Sequence, residues 1–61
     1  MSNERLDEII EKLAEAHAAA RERRNKAQAD CDQAEYQEAH GEATGLAMAL
    51  AVLRRARSEA E

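Results

Sequence analysis

The chain has 61 residues, no Trp, Phe or Pro, one Tyr, one Cys and a formal net charge of −4. So short a chain makes one small domain and is marginal alone, and its 44% hydrophobic content is mostly Ala, which buries little area. A lone Cys31 excludes an intrachain disulfide, and the acidic balance disfavours nucleic acid and anionic membranes as default partners.

Residues 1–61 read as a single domain. At its start, Met1-Ser2-Asn3-Glu4-Arg5 has no stretch of signal-peptide type, and Ser2 or Asn3 can cap a first helix. Leu6, Ile10, Leu13, His17, Ala20, Arg24, Ala27, Cys31 and Ala34 then alternate steps of four and three, with Ile9 and Ala16 widening the stripe. The spacing predicts a helix over about 3–29. Next, Asp30 and Asp32 favour a turn, and Asp32 followed by Glu35 has capping-box spacing. A second seam follows through Tyr36, Ala39, Ala43, Leu46, Leu50, Leu53, Arg57 and Ala60, predicting a helix over about 33–59. Each arm is then about 39 Å long at ~1.5 Å per residue. Gly41–Gly45 is a rival break point, which would leave one long and one short helix.

Charge order supports the break near residue 31. Residues 4–15 carry a net −3, 21–26 a net +3, 30–42 a net −5 and 54–57 a net +3. Folded there, each acidic block meets a basic one, and acid falls at each helix N-terminus and base at each C-terminus. The fold class is therefore all-α, an antiparallel helical hairpin. In this register Ile9 and Ile10 meet Val52 and Leu53, Leu13 meets Ala49 and Leu50, His17 faces Gly45, and Arg24 faces Glu38. Gly41 and Gly45 would permit close backbone approach between the packed helices, with room for His17, or else open a small cavity.

One partner helix cannot cover Leu46, Met48, Leu50, Val52 and Leu53 together. That predicts a homo-oligomeric helix bundle, a dimer of hairpins first, whose interface draws on Leu46, Leu50, Val52, Leu53, Ile10 and Leu13. The longest apolar run, Ala43–Leu53, falls far short of the ~20 residues that span a bilayer. With an unpaired Cys, this predicts a cytoplasmic protein without membrane contact.

No residue pattern points to catalysis. Neither His17 nor His40 has a Glu three residues before it, Cys31 has no CxxC partner, and no Ser–His–acid set or phosphate loop occurs. The expectation is a chain that is not an enzyme and takes no metal or cofactor. The block Arg21-Glu22-Arg23-Arg24-Asn25-Lys26 is the one anion-binding feature. Its simplest role is pairing with Glu35, Glu38 and Glu42 across the hairpin. Alternatively Arg21 and Arg24 join Tyr36, His17 and His40 around a cavity, where Arg forks a phosphate and Tyr stacks on a base. His17, on the seam, reads as a buried neutral side chain bonded to a neighbour.

The segment Glu38-Ala39-His40-Gly41-Glu42-Ala43-Thr44-Gly45-Leu46, continuing through Ala49-Leu50 to Val52-Leu53, resembles a pattern in small helical proteins of actinobacterial phages. The overall plan resembles Rop-type hairpins, which dimerise into a four-helix bundle and bind RNA through a basic and aromatic face of the first helix. Here the first helix has no aromatic residue and an acidic N-terminal half, a departure from that face. Together these readings imply an oligomeric interaction protein, phage-encoded, that modulates a host factor through an unknown protein partner in the host cytoplasm. The alternatives are a sponge for a small anionic ligand, a nucleotide immune signal, and a Rop-like RNA-binding bundle.

Overall fold

A computed structural model describes residues 3–59 and contains two α-helices, α1 (Asn3–Ala29) and α2 (Gln33–Glu59). They fold back antiparallel into a rod of 44 × 14 × 12 Å. The expected boundaries hold, and α2 runs unbroken through Gly41 and Gly45. Ser2 and Ala60, expected at a cap and at the end of the second seam, lie outside the described residues. Glu4 and Glu35 sit in the first turns, and Lys26 and Arg57 in the last, so both helices complement their macrodipoles.

The turn is built from backbone geometry at Cys31 and side-chain chemistry at Asp32. Cys31 adopts φ 57°, a left-handed conformation that normally selects Gly. Its N–H donates to Gln28 O at 3.2 Å, and Asp32 N–H donates to Ala27 O at 2.9 Å. This crossed pair is a Schellman stop, which satisfies the last carbonyls of α1. Asp32 then starts α2. Its carbonyl accepts the Tyr36 N–H at 2.9 Å, and its carboxylate accepts the Glu35 N–H at 3.2 Å.

Both seams pack inward except at the turn, where Cys31 and Ala34 are exposed, and the buried set is small: Ala20, Ala27, Ala39, Ala43 and Leu50. Leu6, Ile10, Leu13, Leu46 and Leu53 are half-buried towards the open end. There Arg57 Nε donates to Asp7 Oδ1 at 2.8 Å, fixing the end of α2 against the start of α1.

Candidate functional site

The five candidate ligand residues fall on one flank of the hairpin, in two groups. His17, Arg21 and Arg24 follow at i, i+4 and i+7, so they share a face of α1. With Ala43, Thr44 and Ala47 they line a shallow depression of about 190 Å³. Ligand pockets usually exceed ~300 Å³, so one hairpin holds only part of such a site. Tyr36 and His40 lie on α2. Their rings stack at 5.8 Å between centroids and 3° between planes. Tyr36 lines a separate depression with Ala27, Gln28, Cys31, Asp32 and Gln33. His17 and Arg24 are half-buried, while Arg21 and His40 are exposed. Thus the structure groups the three α1 residues and pairs the two α2 rings, but does not bring all five around one cavity.

The opposite flank carries the cross-hairpin ion pairs. Arg23 Nη2 and Nε donate to Glu35 Oε1 at 2.7 and 3.0 Å, and its Nη1 donates to Glu42 Oε2 at 2.8 Å. Bonding to Glu35 first, then to Glu42, raises the Arg23 pKa above its ordinary value, so the cation is held charged. The expected partner of Glu38 was Arg24, and here the structure corrects the register. Adjacent helical positions differ by ~100°, which turns Arg23 towards the acidic flank of α2 and Arg24 towards the other. Arg24 Nη2 instead donates to the neighbouring Asn25 Oδ1 at 3.4 Å. Among the described residues, neither Arg21 nor Arg24 makes an ion pair.

A third surface is the outward face of α2. Met48 and Val52 are 66% and 68% exposed, the most open large apolar side chains among the described residues. Gly41 and Gly45 lie on the same face, and a Cβ built on either meets nothing within 4 Å. They therefore do not admit α1, and His17 does not face Gly45. Roughly half a helical turn separates these glycines from the buried Ala43 and Leu50 on the inner face. Each costs α2 ~1 kcal/mol relative to Ala, and no contact within the hairpin offsets it.

The residues expected at an oligomer interface are divided by the same geometry. Leu50 is 3% exposed and used inside the hairpin. Ile10, Leu13, Leu46 and Leu53 are half-buried, and Val52 alone of the set is exposed.

No family model, curated protein or solved structure matches this chain.

Among the described residues, no group of three His, Cys, Asp or Glu side chains could hold a metal ion. No described helix is long and apolar enough to cross a membrane. Sequence reasoning placed Met48 in the uncovered belt but missed the surface it belongs to. The signal was present as a second 4-3 spacing, Ala34, Glu38, Gly41, Gly45, Met48, Val52, on the side of α2 away from its core seam.

Proposed function

We propose that this chain is a non-enzymatic helical interaction protein that works as a homo-oligomer. The supporting observation is its core: four of the five buried residues are Ala, while Met48 and Val52 stand open. The chain exposes 4686 Å², against about 4,000 Å² for a compact monomer of its mass. So thin a core leaves the fold dependent on further burial, and self-association supplies it. The resemblance of residues 38–53 to helical phage proteins extends the proposal to a phage-encoded modulator of a host protein, acting in the host cytoplasm. Thermal unfolding over roughly a hundredfold range of protein concentration tests the oligomeric part. The midpoint is expected to rise with concentration. A constant midpoint refutes it.

The second reading is capture of a small anionic nucleotide. It is favoured by the convergence of His17, Arg21 and Arg24, with the two arginines not neutralised by a described carboxylate. A partner subunit would complete the shallow site. Calorimetry against cyclic and linear nucleotides tests it. Arg21→Ala or Arg24→Ala should abolish binding with the fold intact, and Tyr36→Ala should weaken it by ~1–3 kcal/mol if the ring stacks on a base. Absence of heat with every nucleotide refutes this reading.

A further inference from the structure

We infer that the outward face of α2 is a self-complementary dimer surface, on which a second copy of this chain packs its own α2 antiparallel. The inference rests on the homo-oligomeric reading above and names the face and polarity that carry it. Ala34, Glu38, Gly41, Gly45, Met48, Val52 and Arg55 recur at steps of four and three, the spacing of a helix–helix seam.

Place a two-fold axis at the level of Leu46 and Ala47. Gly45 then lies in one layer with Met48 of the second copy, and Gly41 in one layer with its Val52. In both layers an open glycine receives one of the two most exposed apolar side chains. The next layers outward place Glu38 beside Arg55 of the second copy. Arg55 is free to take that partner, because its bond within α2 is a long 3.8 Å contact to Glu59, with the two side chains 83% and 74% exposed. A parallel arrangement would instead align Glu38 with Glu38 and Arg55 with Arg55. Size and charge are thus both complementary in the antiparallel sense, and each contact occurs twice. The roughly 700 Å² by which the chain exceeds a compact monomer is close to the ~800 Å² per partner of a standard interface.

Sedimentation equilibrium on the full chain and its variants tests this, with far-UV circular dichroism confirming that the helices persist. Val52→Glu is expected to raise the dimer dissociation constant on the order of a hundredfold, because the two-fold buries the change twice. Glu38→Arg and Arg55→Glu should each raise it roughly tenfold, and the double variant should return close to the wild-type value. That rescue supports the antiparallel register. If the wild-type chain associates but Val52→Glu leaves its dissociation constant unchanged, this face is refuted and the oligomeric reading stands. If Val52→Glu weakens association but the charge swap does not rescue, the register is refuted. A wild-type monomer at every concentration refutes both readings.

Discussion

Asp32 and Glu35 form one half of a capping box. The Glu35 N–H donates to Asp32 Oδ1 at 3.2 Å, but the Glu35 carboxylate does not reach back to the Asp32 N–H. It accepts from Arg23 instead, and the Asp32 N–H is already taken by Ala27 O of the Schellman stop. One short turn therefore ends α1, starts α2 and lends a carboxylate to the cross-hairpin pair.

Asp32→Ala should lose ~1 kcal/mol of stability, while Asp32→Ser or Asp32→Asn should keep most of it, because either replacement can still accept the Glu35 N–H. Urea denaturation followed at the helical band measures the difference.

Cys31→Gly should stabilise the protein by about 1 kcal/mol, since a non-glycine residue at φ 57° carries a steric penalty. Cys31→Val should destabilise it, because a β-branched side chain fits that conformation worst. Denaturation midpoints rising for Gly and falling for Val are the expected pair. A loss on Cys31→Gly would mean that the thiol contributes more than the backbone conformation costs.

Leu50→Ala should cost about 2–5 kcal/mol, and Leu50→Glu should unfold the hairpin, because Leu50 is the sole large side chain among the buried residues. Val52 lies two residues further along α2, about 200° around the helix and so on the opposite face. That residue is 68% exposed, so Val52→Ala should change the intrinsic stability of a hairpin by no more than ~0.5 kcal/mol. Denaturation in dilute protein, where association contributes least, makes the comparison.

Arg23, not Arg24, should couple to the acids of α2. A double-mutant cycle on Arg23 and Glu35 should give a coupling that shrinks with added salt, since both side chains are well exposed. The same cycle on Arg24 and Glu38 should give none. Coupling at Arg24 would place the register one residue away from the observed one.

Much of the fold is legible in the residues. The acid–base–acid–base order and the Asp32–Glu35 spacing locate the turn, and the two seams identify the inward faces. What is not legible turns on single positions. Charge blocks show that bases near residue 23 meet acids near residue 40, but which arginine reaches across depends on a ~100° step around α1. Cys31 occupies a conformation usually advertised by Gly, so the Schellman stop carried no sequence label. Gly41 and Gly45 suggest close helix approach, but their spacing from the Ala39, Ala43 and Leu50 seam already turns them outward, a geometric signal that the usual role of glycine at helix contacts overrides. For the candidate site, helical spacing groups His17, Arg21 and Arg24, and Tyr36 with His40. That the two groups line different depressions appears only in the packed hairpin.

The exposed thiol of Cys31 sits at the closed tip of a stiff rod. A spin label attached there turns helix polarity into a measurable length. In the two-fold arrangement centred near Leu46, each tip lies about fifteen residues from the axis. At ~1.5 Å per residue the labels would point in opposite directions, on the order of 45 Å apart. In an assembly whose turns gather at one end, they would lie within about two helix diameters, ~20 Å. The odd cysteine thus reports the orientation of the subunits from a position remote from the surface that joins them.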